Sequence, residues 1–185
     1  CDPGTCFPNK LEDIKILERA VRKDPRGSKA CYYLGNLWYD RLQADKAMEM
    51  WEKSAQIRDD FPTVHRNLSI AYYNKRKDPA RALAEMEKAF ALDASDARVL
   101  LELDQLRKKL QMPVEDRLAC YEERRELVEE REDLLIEYAA LCNMTGQHRK
   151  ALDLILSHRF RAWEGGEGKV TVQYKSALLA MARQY

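Results

Sequence analysis

Histidines, paired carboxylates and a glycine-rich stretch are the residues of this chain that could carry out chemistry. The histidines His65, His148 and His158 lie far apart, and none has a histidine or glutamate four residues away, as a His-Glu-x-x-His zinc site requires. Carboxylate pairs such as Glu122-Glu123 alternate with arginines at helical spacing, which is typical of a solvated helix face rather than of an acid/base dyad. The sequence therefore predicts no catalytic centre, no metal ion and no cofactor.

The glycine-rich stretch runs from Phe160 to Lys169. A P-loop ends in Gly-Lys followed by Ser or Thr, but Val170 follows Lys169 here and two glutamates stand inside the stretch, so we expect no phosphate site. Two interpretations stay open. Either the glycines allow a sharp connection between two helices, with Trp163 filling the groove between them, or Trp163, Glu164 and Lys169 form the edge of a ligand site.

Composition argues against several classes of protein. Lys and Arg number 32 and Asp and Glu 31 among 185 residues, which leaves a formal net charge of +1, whereas nucleic-acid-binding proteins usually carry a clear basic excess. No apolar run approaches the roughly 18 residues that a membrane-spanning helix needs. The five cysteines follow no zinc-binding spacing. We therefore expect a cytoplasmic protein with reduced thiols that binds neither nucleic acid nor membrane.

A repeat of helix pairs is visible when apolar and small residues are compared along the chain. From Leu34 to Leu68 is 34 residues, and from Trp51 to Met86 is 35. Apolar residues recur every three or four positions between these markers, which is the helical period. Small residues stand where two helices must approach closely: Gly35, Ser69 and Ala139 in the first helices, and Ala47, Ala82 and Ala151 in the second helices.

In these residues the chain resembles the tetratricopeptide repeat (TPR) family, whose period is 34 residues. The resemblance implies an all-α, right-handed superhelical solenoid of antiparallel helix pairs, with about ten helices. It covers residues 10–185, after an N-terminal extension at 1–9. Within it we expect a lone helix over 10–23, helix pairs over 28–61, 62–96, 97–130 and 131–158, and a last helix over 169–184.

Details of the repeat give further expectations. Ser28 is expected to cap a helix, Pro62 and Pro79 to open one, and the turn Lys75–Asp78 to hold the extra residue of the 35-residue spacing. The third pair departs from the family pattern, because Asp104 stands where Gly is usual and Arg107 where an aromatic residue is usual. The last helix is expected to bury one apolar face: Val170, Tyr174, Leu178 and Met181.

Three short stretches carry a closer resemblance through their amino-acid sequence: Asp2–Asn9, Tyr33–Leu37 and Trp163–Lys169. These stretches are similar to the TPR region of large bacterial proteins that have an uncharacterised N-terminal β-rich, sugar-mutarotase-like domain. That resemblance implies a bacterial fragment from which the β-rich domain is absent. A fragment of this kind is expected to have truncated ends with exposed helix faces, through which copies of the chain could self-associate.

TPR proteins usually bind partners on the concave face formed by the first helix of each pair. Counted from Ser28, this face holds aromatic, amide and basic side chains that suit an extended peptide, although an ordinary solvated helix surface is the alternative. The residues predicted to bind are Tyr32, Asn36, Tyr39, Arg66, Asn67, Tyr73 and Arg98. The same count places further residues on this face: Lys29, Asp40, Thr63, Ile70, Asn74, Leu101, Gln105, Lys108 and Lys109.

The function implied by the resemblance is a non-catalytic scaffold for an unidentified protein or peptide. The alternative is an accessory region that positions a larger, possibly carbohydrate-active bacterial enzyme. The carboxylate clamp of chaperone-tail receptors is matched at Asn36, Asn67 and Arg98 but not at Tyr32 or Glu102. Because Glu102 would repel a carboxylate at close range, that role is less well supported.

Overall fold

A computed structural model describes residues 8–161 and 166–183. Within these ranges the chain forms eleven α-helices and one π-helical turn, and no strand. The predicted all-α fold of paired helices is therefore confirmed. The chain divides into two compact units, residues 1–94 and 95–185, which are described in turn. That the repeat domain runs over residues 10–185 stays a prediction.

The first unit contains a lone helix and two helix pairs. The helices are α1 (Leu11–Lys23), α2 (Ser28–Asp40), α3 (Ala44–Ile57), α4 (Pro62–Ala71), which continues into a π-helical turn at Tyr72–Arg76, and α5 (Pro79–Leu92). The two prolines open α4 and α5 as predicted. Ser28 begins α2, but the cap position belongs to Gly27 and no side chain caps the helix, so that part of the prediction is wrong.

Close contact between α2 and α3 depends on a missing side chain. A Cβ atom added at Gly35 would lie 2.5 Å from Cδ1 and Nε1 of Trp51, well inside the distance that two such atoms tolerate. In the second pair, Ser69 takes the same place, and its hydroxyl donates a buried 2.6 Å hydrogen bond to the carbonyl of Ala82. Gly35 and Ser69, two of the small positions identified in the sequence, are therefore places where the paired helices touch.

Each turn between a first and a second helix passes through a left-handed residue. The bond that closes three of these turns spans five residues, as in the N–H of Gln43 to the carbonyl of Trp38 at 2.8 Å. In the second pair, the N–H of Asp78 reaches six residues back to Tyr72 at 3.1 Å, so the extra residue is absorbed by the π-helical turn and not by the loop alone. The left-handed residues are Leu42, Lys77, Gln111 and Gly146.

The second unit is less regular. Its helices are α6 (Ala97–Lys109), α7 (Val114–Glu123), α8 (Arg125–Glu129), α9 (Glu132–Met144), α10 (His148–Leu156) and α11 (Lys169–Ala182). The second helix of the third pair is broken at Arg124, where φ is −123° and ψ is 37°. The core of the second unit is formed by large side chains that are almost fully buried, including Leu100, Leu103, Tyr121, Leu134 and Tyr138.

A buried ion pair replaces the usual small-residue contact between α6 and the helix that follows it. The carboxylate of Asp104 accepts hydrogen bonds from Nε and Nη2 of Arg117 at 2.7 and 2.8 Å, and from the hydroxyl of Tyr121 at 3.0 Å. The side chains of Asp104 and Arg117 are 4 % and 3 % exposed. The carboxylate of Asp104, the residue that departs from the family pattern, is thus hydrogen-bonded by two residues of α7.

Among the described residues, the last helix, α11, packs against α9 and α10. Ala177 is fully buried, and the amide of Asn143 donates to the backbone carbonyl of Gln173 at 3.0 Å. The predicted apolar face is partly wrong: Val170 and Met181 are half-buried, whereas Tyr174 and Leu178 are 36 % and 39 % exposed. The buried side is centred on Ala177. Of the helices described, none is long and apolar enough to cross a membrane.

Candidate functional site

A groove of about 350 Å³ opens in the first unit along the first helices of its two pairs. Helices α2 and α4 supply its walls, and the indole of Trp51 on α3 reaches it from behind. Because these residues come from one face of each first helix, the groove lies where the repeat geometry predicts a binding surface. Its lining residues are Tyr32, Asn36, Tyr39, Asp40, Trp51, Thr63, Arg66, Asn67 and Ile70.

The structure brings five of the seven predicted binding residues to this groove and leaves two elsewhere. Tyr73 is half-buried in the π-helical turn and is not part of the groove lining. Arg98 belongs to α6 of the second unit. Trp51 is not among the binding residues predicted from the sequence, so its place in the groove was missed. Its position opposite Gly35 was the available signal.

A hydrogen-bonded chain of three side chains fixes the polar part of the groove. The indole N–H of Trp51 donates to Oδ1 of Asn36 at 2.9 Å, and Nδ2 of Asn67 donates to the same oxygen at 3.1 Å. An indole nitrogen can only donate, so the amide of Asn36 must present its oxygen to it. The orientation of Asn36 is therefore set by the core.

One donor of this hydrogen-bonded group of three side chains has no acceptor. Nδ2 of Asn36 is buried and has no hydrogen-bond partner within the described structure. A buried unpaired donor costs about 1–3 kcal/mol, so the fold tolerates this cost next to the groove. Such a group is uncommon in native structures and marks this position as unusual.

The aromatic wall of the groove is more deeply set than the sequence suggested. Tyr32 was expected to project into the groove, but it is only 5 % exposed. Its ring packs edge-on against Phe61 with centroids 4.8 Å apart, and against Tyr33 at 5.2 Å. Tyr39 packs against Trp51 at 5.3 Å and is half-buried. Both tyrosines therefore pack against neighbouring rings, and little of Tyr32 is left to contact a ligand.

The cation expected at position 98 is already engaged within its own helix. Nε of Arg98 lies 3.2 Å from the carboxylate of Glu102, one helical turn away. This is the glutamate that does not fit a carboxylate clamp. Because it neutralises the arginine that a clamp would use, the second unit offers little attraction to a peptide carboxylate at this point.

The second proposed site, on the glycine-rich stretch, is mostly outside the described residues. Trp163 and Glu164 are not among them, and Lys169 is the exposed first residue of α11. The two interpretations of this stretch therefore stay predictions.

The buried titratable groups of the described chain hold helices together. His65 is 2 % exposed, with Nδ1 2.6 Å from the carboxylate of Glu85 and Nε2 3.3 Å from that of Asp59. Burial raises the pKa of the Cys31 thiol, and it raises that of Cys142 to about 11, so neither thiol is a ready nucleophile. Within residues 8–161 and 166–183, no three His, Cys, Asp or Glu side chains are grouped to hold a metal ion.

Solved structures of similar fold place the chain among TPR solenoids. MamA is 13 % identical with a TM-score of 0.62, over 92 % of this chain and 88 % of that one. YrrB, described as a TPR protein with an unusual peptide-binding site, is 18 % identical with a TM-score of 0.59, over 94 % of this chain and 86 % of that one. No family model matches the sequence. At these identities the likeness shows the fold alone: the chain has the TPR solenoid fold.

Proposed function

We propose that this chain is a non-catalytic scaffold that holds an extended segment of a partner protein in the groove of its first unit. The observation that carries the proposal is the convergence of Tyr32, Asn36, Tyr39, Arg66 and Asn67 on one groove of about 350 Å³. The fold shared with YrrB, a TPR protein with a peptide-binding site, supports the same use.

The chemistry of the groove suits the backbone and side chains of an extended peptide. Tyr39 and Ile70 offer apolar area, and the ring of Tyr39 already packs against Trp51, so little side-chain entropy is lost on binding. The amides of α2 and α4 stand along the groove, where an extended segment presents a carbonyl and an N–H at every residue. A partner with one or two apolar side chains and an accessible backbone fits these features.

An accessory role in a larger, carbohydrate-active enzyme would use the same groove. The two functions differ in which protein contributes the bound segment, because a scaffold holds a segment of a separate protein and an accessory region holds one of the enzyme itself. Both make the first unit a binding surface and neither requires a catalytic group in this chain.

A displayed library of random linear peptides tests the proposal directly. We expect the wild-type chain to enrich a family of related peptides, and Tyr39→Ala to weaken their binding about tenfold or more, as truncation of a central aromatic contact usually does. Tyr174→Ala is the matched control, since this tyrosine is 36 % exposed on α11 of the other unit.

The outcomes separate cleanly. Enrichment that is lost in Tyr39→Ala and kept in Tyr174→Ala supports the groove. Equal loss in both variants, or no loss in either, assigns binding to another surface. Failure of the wild-type chain to enrich any related peptides contradicts the proposed function.

A further inference from the structure

The groove of the first unit contains a hydrogen-bond acceptor that the protein itself does not use. Nδ2 of Asn67 donates to Oδ1 of Asn36 at 3.1 Å, so the oxygen at the other corner of the Asn67 amide points elsewhere. That oxygen accepts no hydrogen bond within the described residues, and it is not one of the buried atoms left unpaired there. Because Asn67 lines the groove, its oxygen is available to a bound segment.

Trp51 sets the orientation of the Asn67 amide indirectly, through Asn36. The indole N–H can only donate, and it donates to Oδ1 of Asn36 at 2.9 Å. The same oxygen faces Asn67, which must therefore present its own donor, Nδ2. Turning the Asn67 amide round would place two oxygens in contact with no hydrogen between them. We call these three hydrogen-bonded side chains the Trp51–Asn36–Asn67 network.

The core holds the first member of this network in place. Trp51 is 2 % exposed, its indole occupies the space that Gly35 leaves open, and its ring packs against Tyr39 with centroids 5.3 Å apart. The indole is therefore a fixed donor, and the orientation of both amides follows from it.

Asn36 offers no hydrogen-bonding group of its own to a ligand. Its Nδ2 is buried, and its oxygen already accepts from Trp51 and Asn67, which uses both lone pairs. At this point of the groove, the group that the network leaves for a ligand is therefore the oxygen of Asn67.

A ligand group that meets this oxygen must be a donor. Every residue of an extended segment except proline has a backbone N–H. Lys and Arg side chains also donate, but Arg66, the neighbour of Asn67 in sequence, lines the same groove, and its like charge opposes them. A carboxylate only accepts, so its oxygens would meet the Asn67 oxygen unfavourably.

We propose that Trp51 is the positioning residue of this groove: through Asn36 it turns the oxygen of Asn67 toward the bound segment, where that oxygen accepts a hydrogen bond from one backbone N–H. The groove then takes an internal stretch of a partner in preference to a chain end whose carboxylate falls at this place. This inference rests on the proposed function, because it specifies which part of a partner the groove holds.

This arrangement is the reverse of a carboxylate clamp at the same two asparagines. A carboxylate needs both amides as donors, whereas Nδ2 of Asn67 is committed to Asn36 and Nδ2 of Asn36 is buried. The sequence matches at Asn36 and Asn67 therefore do not give the groove the preference of a clamp.

Peptides enriched from the displayed library by the wild-type chain are the probes for this proposal. Each backbone amide of such a peptide is replaced in turn by an ester, which removes the N–H and keeps the backbone length. We expect one ester to weaken binding about fivefold or more in a fluorescence anisotropy titration, because the Asn67 oxygen then faces another oxygen. A peptide cut so that its free carboxylate falls at this residue should bind more weakly than the same peptide with an amidated end.

Trp51→Phe keeps an aromatic ring and removes the indole N–H. Without that donor the Asn36 amide is free to turn, and Asn67 can present either of its polar atoms, so the sensitive ester should cost less than about twofold in this variant. A purely structural role of Trp51 would weaken all peptides together and leave the ester effect unchanged. Trp38→Phe is the matched control, since Trp38 is a half-buried indole of α2 outside the groove lining; it should keep the full ester effect.

Two replacements of Asn36 test the middle of the network. Asn36→Asp supplies oxygens for both donors and should keep the ester-sensitive position. Asn36→Leu has a similar volume but supplies no acceptor, and it should lose that position. Circular dichroism should show the same helix content in all variants.

The network is also testable without a peptide. In heteronuclear NMR of the isotope-labelled full chain, the side-chain amide signals of Asn67 should change in Trp51→Phe and in Asn36→Leu, and should stay close to those of the wild type in Trp38→Phe. If the Asn67 signals are unchanged in the first two variants, Trp51 does not orient this amide and the proposal is overturned, whether or not any peptide binds.

The peptide results separate this proposal from the proposed function. Binding that is lost in Tyr39→Ala but shows no ester-sensitive position keeps the groove as the binding site and overturns the role of Trp51. Equal ester effects in the wild type and in Trp51→Phe, or tighter binding of the peptide with the free carboxylate, overturn that role as well. If no related peptides are enriched, the proposed function fails, and the NMR comparison still decides whether Trp51 orients Asn67.

Discussion

Replacement of Asp104 by alanine separates what the repeat pattern predicts from what the structure predicts. A small residue is usual at this place in the repeat, so the pattern alone predicts that Asp104→Ala restores a favourable contact. The structure predicts the opposite, because Asp104 accepts three hydrogen bonds from Arg117 and Tyr121. The variant leaves a guanidinium that is 3 % exposed without its counter-charge.

The expected cost follows from that burial. Removing one partner of a buried ion pair typically costs about 3–5 kcal/mol, because the remaining charge stays out of water. Glu137 lies 3.8 Å from Arg117 and offsets part of this cost, since it supplies a second carboxylate at longer range. We therefore expect Asp104→Ala to lower the free energy of unfolding of the second unit by about 3 kcal/mol.

Removing both charges should be far less costly than removing one. The double variant Asp104→Leu/Arg117→Met replaces the pair by apolar side chains of similar volume, which is often neutral or stabilising. We expect its free energy of unfolding to lie within about 1.5 kcal/mol of the wild-type value. The coupling energy of the cycle that includes Asp104→Leu and Arg117→Met is then about 3 kcal/mol or more.

Urea denaturation followed by circular dichroism measures the total effect, and amide hydrogen exchange in α6 and α7 shows whether it is local. Asp153→Ala is the control, because it breaks an exposed i,i+4 pair with Arg149 and should cost no more than about 0.5 kcal/mol. If Asp104→Ala is neutral or stabilising, the buried pair does not hold these helices together and the reasoning is refuted.

Three further predictions concern the first unit and the turns. Leu42→Gly should raise the free energy of unfolding by about 0.5–1 kcal/mol, because Leu42 has φ 60° and the change relieves backbone strain. Its side chain is 87 % exposed, so little packing is lost. Gly146→Ala, at φ 77°, should lower the free energy of unfolding by a similar amount in the same urea assay. Gly35→Ala should destabilise by about 1–2 kcal/mol, since its Cβ would collide with Trp51 and this outweighs the gain in helix propensity; an unchanged urea midpoint would contradict the close contact. Burial foremost, together with the nearby carboxylate of Glu52, raises the pKa of Tyr72 from 10 to about 12. The neutral phenol of Tyr72 therefore contributes its full stabilisation below pH 10, and this contribution is lost as the pH rises toward 12. Ultraviolet titration should show one fewer late-ionising phenol in Tyr72→Phe than in the wild-type chain.

The helix pairs could be predicted from the sequence because their determinants are local and periodic. Proline at the start of α4 and α5 and apolar residues at helical spacing act within one or two turns. The break at Arg124 and the π-helical turn at Tyr72–Arg76 could not be predicted. The π-helical turn accommodates the extra residue of the second pair through the hydrogen bond from the N–H of Asp78 to the carbonyl of Tyr72.

The helix face on which the groove lies could be predicted from the sequence, but the burial of its side chains could not. Counting positions along a first helix gives the face on which a side chain lies, which is why Asn36, Arg66 and Asn67, selected by that count, all line one groove. Depth depends on residues that are distant in sequence. Tyr32 is buried because Phe61, from the loop before the next pair, covers its ring, and no pattern within α2 contains that information.

The small positions show how repeat geometry and site chemistry are connected. At the same place in successive pairs stand Gly35, Ser69 and Asp104, and each meets the next helix differently: by open space for an indole, by a hydroxyl bonded to a carbonyl, and by a buried ion pair. Only the first solution lets a core side chain reach the groove, where Trp51 fixes the amide of Asn36. The residue that allows close packing in the first pair therefore also determines which polar atoms the groove between α2 and α4 can offer, because Trp51 reaches past Gly35 and holds the side-chain oxygen of Asn36.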